Sequence, residues 1–257
     1  MKNAVTVICL VILLTACQTV PQTAREQLLL TSPETEMAMG EQAFRSIMRG
    51  QREITEGEAY ESLQVIGQRI VMAAEPMLEA RGFGDLEWSF HLVDSNTINA
   101  FVVPSGQVVF FRGILPVLEN ENGIAAVMGH EVAHVIARHG GERISQRLLA
   151  TGATYGLAAA MADTREEADR ILAAAGIATL FLLEMPYSRR HELEADYLGA
   201  QLMAMAGYDP REAVKVWERM EEATLSVPAF LSTHPHSRDR RDRLEERMPE
   251  FLSLSGQ

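Results

Sequence analysis

Two histidines four residues apart, with a glutamate beside the first, constrain this chain more than any other feature: His130-Glu131-Val132-Ala133-His134. The surrounding run has a helical period. Ile124, Val127, Met128, Val132, Val135 and Ile136 are its apolar positions between Asn120 and His139, and Gly140-Gly141 is expected to stop it. On a helix, positions i and i+4 share a face, so both imidazoles point one way and can hold one Zn2+ at about 2.0–2.1 Å. Glu131 turns aside from that pair and can take a proton from a water on the metal, as general base. With seven histidines and 35 acidic residues, composition alone predicts roughly 0.03 matches to such a pattern. A third ligand on another element is what the motif requires next.

Both cysteines, Cys9 and Cys17, lie at the extreme amino terminus. No thiolate is left for the folded body, so the third ligand is expected to be a carboxylate. The run Ser188-Arg189-Arg190-His191-Glu192-Leu193-Glu194-Ala195-Asp196 supplies one. Glu192 and Asp196 stand four apart on one helical face. Glu192 completes a set of two histidines and one glutamate with His130 and His134, one zinc per chain, with water in the fourth position. Asp196 is placed to accept the remaining ring N–H of a ligand histidine and fix its tautomer. Glu194 falls on a different face and reads as an exposed charge. His91, His139, His191 and His236 show no claim to the site. His139 ends the motif helix, where a cation suits the helix dipole.

The chain has 257 residues, 47% of them hydrophobic and 23% charged, enough for one core and against a disordered chain. A net charge of -12 repels polyanions, which excludes nucleic acid as an expected partner. With lysine only at Lys2 and Lys215, no Gly-Lys-Ser/Thr phosphate loop exists.

At the start, Met1-Lys2-Asn3 precedes an apolar run, Ala4 to Leu14, too short to span a bilayer. The pattern is a signal peptide over residues 1–16. Leu14-Thr15-Ala16-Cys17 resembles the bacterial lipobox, which implies cleavage before Cys17 and lipidation there, with a tether over 17–33. Gln18, rather than Asp, after that cysteine implies a bacterial outer-membrane lipoprotein facing the periplasm.

The body reads as α+β and mostly α, with a small β-sheet just before the motif helix. Helices are expected from Thr31 to Arg49, Gly57 to Glu75, Ser188 to Ala206, Pro210 to Glu222 and Ser237 to Arg247. Trp88–Val93, Phe101–Val103 and Gln107–Phe111 read as strands, the last two joined by Pro104-Ser105-Gly106. Leu148 to Ala162 and Ile171 to Leu183 are uncharged. They read as a hydrophobic hairpin that lids the cleft or touches lipid, or as plain core.

The motif helix, followed about 58 residues later by Ser-Arg-x-x-Glu-x-Glu-Ala-Asp, resembles the HtpX/BepA/Oma-type gluzincin family, which includes the CAAX prenyl endopeptidases. Asn99-Ala100-Phe101-Val102-Val103-Pro104-Ser105-Gly106 is similar to that family's strand and turn, with Ser105 where the family usually has glycine. Gly113-Ile114-Leu115, Gly207-Tyr208-Asp209-Pro210, and Thr233-His234-Pro235 with Arg240 also match. The resemblance implies a gluzincin-like zinc metalloprotease domain over 34–250, without a C-terminal repeat domain. The implied activity is a zinc-dependent metalloendopeptidase. Its implied substrates are unfolded or misassembled envelope proteins, as in protein quality control. It implies that substrate adds as an extended strand along Asn99, Ala100 and Phe101. It also implies that His234 lies near the metal, either filling the fourth position in a latent enzyme or stabilising the oxyanion. The alternative is a non-catalytic envelope binding or chaperone module on the same fold, against which an intact Glu131 argues.

Overall fold

The computed structural model describes residues 17–161, 188–224, 234 and 238–255. In chain order its elements are β1 (Cys17–Thr19), β2 (Glu26–Leu28), α1 (Pro33–Met48), β3 (Glu53–Ile54), α2 (Glu58–Glu79), β4 (Ser89–Val93), β5 (Ala100–Val102) and β6 (Gln107–Phe111). After a short 3-10 turn come α3 (Leu115–Leu118), α4 (Glu121–Ile136), α5 (His139–Met161), α6 (Arg189–Met205), α7 (Arg211–Thr224) and α8 (Arg238–Leu254). Contacts divide the chain into two units, Met1–Ser32 with Gly141–Met185, and Pro33–Gly140 with Pro186–Gln257.

The second unit is built on α4. Asn120 opens this helix, its side chain accepting the Gly123 N–H at 3.1 Å. One of the donors that a helix start leaves unpaired is thereby satisfied. Every residue from Gly123 to Ile136 is buried, the pattern of a core helix rather than an amphipathic surface one. It packs against α6, α2 and α7, and against strand β5. On α2, Leu63, Ile66, Ile70 and Ala74 are buried as the periodicity predicts, and the buried face continues to Leu78. Val71, expected on that face, is only half-buried.

The crossing of α4 and α6 is made by glycines. A methyl on Gly129 would lie 2.8 Å from the carbonyl oxygen of Gly199, and one on Gly199 would lie 2.7 Å from the backbone nitrogen of His130. Neither residue can carry a side chain while the two backbones stay this close.

The sheet of this unit has the order β3-β4-β6-β5. β3 and β4 run antiparallel, β4 and β6 parallel, and β5 and β6 antiparallel, with Ala100 opposite Phe110 and Val102 opposite Val108. Val108, Val109 and Phe110 are buried in the core, while β5 forms one edge.

The motif helix ends earlier than its composition predicts. α4 stops at Ile136, and Arg138 takes a left-handed φ of 55°. Gly140 and Gly141 lie inside α5 instead of ending the preceding helix. Glycine ends a helix when it occupies the left-handed position after the cap; here Arg138 holds that conformation. Its guanidinium is anchored by Glu36 on α1, with Nη2–Oε1 at 2.6 Å and Nε–Oε2 at 3.3 Å, both side chains buried.

In the other unit, residues expected as a tether pair as a hairpin, Cys17 opposite Leu28 and Thr19 opposite Glu26. The hairpin is more than a linker because Val20 and Leu29 are buried. Leu30 N–H donates to Ser145 Oγ at 2.8 Å, and Arg25 pairs with Glu142 at 2.8 Å. Within the first uncharged stretch, Leu148 and Leu149 are exposed on α5, so that turn of helix is not core. The second, Ile171 to Leu183, lies outside the described residues. No described helix is long and apolar enough to cross a membrane.

The glycine crossing yields a test. Gly199→Ala is expected to destabilise the protein by about 1–3 kcal/mol, the usual cost of overpacking, and to lower the thermal unfolding midpoint. Gly152→Ala, on a helix with nothing among the described residues within 4 Å of the new methyl, is expected to leave the midpoint unchanged or raise it.

Candidate metal centre

Two helices deliver three of the four donors, and His234, outside any described helix, supplies the fourth. Positions 130 and 134 project from one face of α4, and 192 and 196 from one face of α6, whose start is capped by Ser188 Oγ accepting the His191 N–H at 3.3 Å. Because the glycines let these helices touch, the two faces meet. His130, His134, Glu192 and His234 form a buried group whose ligand atoms all lie within 4.8 Å of one another. His130 Nε2 is 3.1 Å from His134 Nε2 and 3.3 Å from His234 Nδ1. His234 Nδ1 lies 3.2 Å from each oxygen of Glu192. Glu192 Oε2 is 3.6 Å from His130 Nε2, and Oε1 is 3.6 Å from His134 Nε2.

These separations test the fit of a metal. Ligands at 2.0–2.1 Å from a tetrahedral ion stand about 3.3–3.4 Å apart. The observed donor pairs bracket that edge length, and imidazole nitrogen with carboxylate oxygen is a donor set suited to zinc. Burial, reinforced by the neighbouring His130, pushes the His134 pKa well below its ordinary value. That favours the neutral imidazole a metal needs.

Around the donors lies a layer of charge. Asp196 Oδ1 is 3.0 Å from His130 Nδ1. Arg240, on α8, clamps Asp196 with Nε–Oδ2 at 2.6 Å and Nη2–Oδ1 at 2.7 Å, and places Nη1 2.8 Å from Glu192 Oε2. The guanidinium is buried and stacks over the Trp217 ring, 4.2 Å from its centroid. Burial would raise the Asp196 pKa, but Arg240 and His130 outweigh it and hold the group at about 2. Glu192 is likewise held below its ordinary value, burial being overcome by His234 and Arg240. Glu131 goes the other way. Burial pushes its carboxyl up against the pull of His234 and His130. Its Oε1 is buried with no hydrogen-bond partner among the described residues, and lies 3.5 Å from His234 Nε2. For His234, burial lowers the pKa, but Glu192 and Glu131 on either side raise it above the ordinary histidine value.

Two residues that composition and periodicity passed over belong to this layer. His139 is fully buried, with Nδ1 2.8 Å from His134 Nδ1 and Nε2 2.8 Å from Glu194 Oε2. Its ring stacks on His191 at 4.3 Å between centroids. The expectation that His139 serves the end of the motif helix is corrected, because it begins α5. Glu194, expected as an exposed charge, is buried against it. The only sequence signal was the short spacing of His139 from the motif.

Residues 66–248 match Peptidase family M48. The chain belongs to that family. M48 peptidases are zinc metalloproteases, and the domain is gluzincin-like. Relatives include the mitochondrial metalloendopeptidase OMA1 of Schizosaccharomyces pombe, 36% identical over 90% of this chain and 66% of that protein. OMA1 of Saccharomyces cerevisiae is 34% identical over 89% of this chain and 68% of its own length. The β-barrel assembly-enhancing protease of Escherichia coli is 27% identical over 86% of this chain and 46% of that protein. The chain thus spans about two thirds of the yeast proteins and under half of the bacterial one. The expected address, a bacterial outer-membrane lipoprotein facing the periplasm, is corrected by this set. The more similar relatives are named mitochondrial, and the E. coli protein is more distant. A short apolar leader and a cysteine are features read by receptors and processing enzymes, and nothing in the folded site encodes a compartment.

The Arg240 clamp is testable by stability alone. Arg240→Met leaves Asp196 and Glu192 buried beside each other without a cation. It is expected to cost about 3–5 kcal/mol in urea unfolding of the metal-free protein. Arg240→Lys is not expected to rescue it, since one ammonium cannot match the two-pronged contact.

Proposed function

We propose that this chain is an endopeptidase that cuts unfolded or misassembled proteins, with zinc held by His130, His134 and Glu192 and with Glu131 as general base. The observation that carries this reading is the spacing of the three donors, 3.1 Å between the two histidine nitrogens and 3.6 Å from each to a Glu192 oxygen, on either side of the edge of a zinc tetrahedron. Bound there, zinc supplies Lewis-acid polarisation and a water of lowered pKa. The chain's own residues do the rest. Asp196 holds His130 in the tautomer that turns Nε2 inward, and Arg240 keeps Asp196 and Glu192 ionised. Glu131, whose carboxyl burial raises above its ordinary pKa, is a stronger base than a free carboxylate and is placed to accept a proton and return it to the leaving amine.

The edge position of β5 supports strand addition by substrate along Asn99, Ala100 and Phe101, since α4 packs directly against that strand. The E. coli relative is named for enhancing β-barrel assembly, which supports β-barrel proteins as a substrate class. His234 lies against both the donors and Glu131, which favours latency over an oxyanion role. The domain boundaries proposed are 34–250 for the catalytic unit, after a leader over 1–16. Cys17 is exposed on β1, and we propose its thiol as a point of membrane attachment.

In a casein digestion assay, chelator is expected to abolish cleavage and zinc to restore it. Glu131→Gln is expected to keep zinc and lose about 10²–10⁴-fold in turnover. His130→Ala, His134→Ala and Glu192→Ala are each expected to lose both. Aggregation suppression without cleavage by the wild type would sink the enzyme reading and leave the chaperone alternative. His234→Ala is expected to raise basal cleavage; a fall of about 10²–10³-fold would instead assign it the oxyanion. Cys17→Ala is expected to leave the protein without lipid, either uncleaved before residue 17 or released from membranes, as mass and fractionation report.

A further inference from the structure

His130 and His134 are supported differently on their outer nitrogens. His130 Nδ1 faces a carboxylate directly, Asp196 Oδ1 at 3.0 Å. His134 Nδ1 faces another imidazole, His139 Nδ1 at 2.8 Å, and only beyond it a carboxylate, Glu194 Oε2, 2.8 Å from His139 Nε2. We propose that His139 and Glu194 are positioning residues for the metal site, forming a two-step relay that fixes His134 in the tautomer with Nε2 bare toward zinc. The inference rests on the zinc reading of the four-residue cluster.

With Glu194 ionised and His139 neutral, the two short contacts fix the direction of each hydrogen bond. An ionised carboxylate only accepts, so the short Nε2–Glu194 contact puts a proton on His139 Nε2. A neutral imidazole carries one N–H, so His139 Nδ1 is then an acceptor. Two ring nitrogens 2.8 Å apart need one proton between them, and His134 Nδ1 must supply it. His134 Nε2 is left with a lone pair aimed at the cluster, where His130 Nε2 lies 3.1 Å away. With the opposite assignment, His134 would carry its proton on Nε2, inside the cluster and in the metal's place.

The relay is also held in place. His139, Glu194 and His191 are all buried, and the His191 ring stacks on His139 at 22° between planes. Its position follows from the left-handed Arg138, which turns the chain so that the first residue of α5 comes back against α4. Partners behind metal-bound histidines typically contribute 10–100-fold in metal affinity or activity.

Two measurements test this on the full chain. First, 15N-histidine spectra of the zinc-loaded wild type report tautomers directly. Protons on His134 Nδ1 and His139 Nε2 are expected, and a proton on His139 Nδ1 would overturn the relay. Second, zinc affinity is measured by competition with a chromophoric chelator. His139→Asn keeps an oxygen acceptor where Nδ1 stood and is expected to stay within a few-fold of wild type. His139→Leu fills similar volume without an acceptor and is expected to bind zinc about 10–100-fold more weakly. Equal affinities for the two variants would reduce His139 to packing. The spectra require no substitution, so a variant that fails to fold leaves that test standing. A wild type that binds no zinc would instead remove the functional reading on which this inference rests.

Discussion

The approach of Gly129 to Gly199 is the contact on which the rest of the molecule depends. Helices with ordinary side chains at their crossing lie 8–10 Å apart. Here each glycine would place a methyl under 3 Å from the other backbone. The closeness brings the 130/134 face of one helix within reach of the 192/196 face of the other. Three donors of the cluster, His130, His134 and Glu192, are thereby brought together, with Asp196 behind His130. Burial follows from the same contact, because α4 is covered by α6, α2, α7 and β5.

Burial then sets the electrostatics. Glu131, Glu192 and Asp196 are all buried around the histidines, with Arg240 as the guanidinium that meets two of them. A buried carboxylate is costly unless it is paired. Arg240 offsets this for Asp196, and His234 with Arg240 for Glu192, so both pKa values fall, while Glu131 is left with burial dominant and rises. One environment thus separates the carboxylates by charge, two favoured as carboxylates and one pushed toward its protonated form. The surplus of negative groups over guanidinium is what a divalent cation matches.

What the sequence made legible was what periodicity encodes. The i,i+4 spacing of His130 with His134 and of Glu192 with Asp196 is a property of any helix, so the shared faces could be read without tertiary knowledge. The strands β4, β5 and β6 followed from alternation and from the turn at Pro104-Ser105-Gly106, where Gly106 takes a φ of 89°, whereas the edge position of β5 was implied only by the family resemblance. His139 and Glu194 were not legible. Their meeting depends on a chain reversal at an arginine, and nothing local marks Arg138 as left-handed, since non-glycine residues rarely adopt that conformation. The pair Gly140-Gly141 pointed to the wrong stop for the same reason. The glycine crossing was hidden as well, because a helical glycine reads only as a weak spot until its neighbour across the interface is known.

The Arg138 turn has a genetic consequence. Its backbone conformation is anchored by Glu36, on a helix a hundred residues upstream that contributes no atom to the metal cluster. The turn that seats the His139 ring behind His134 is held from that distance. Damage at Glu36 would therefore mimic damage to a metal ligand. A survey of inactivating mutations that scored only proximity to the histidines would file it among the unexplained, although its route to the site is a single buried ion pair.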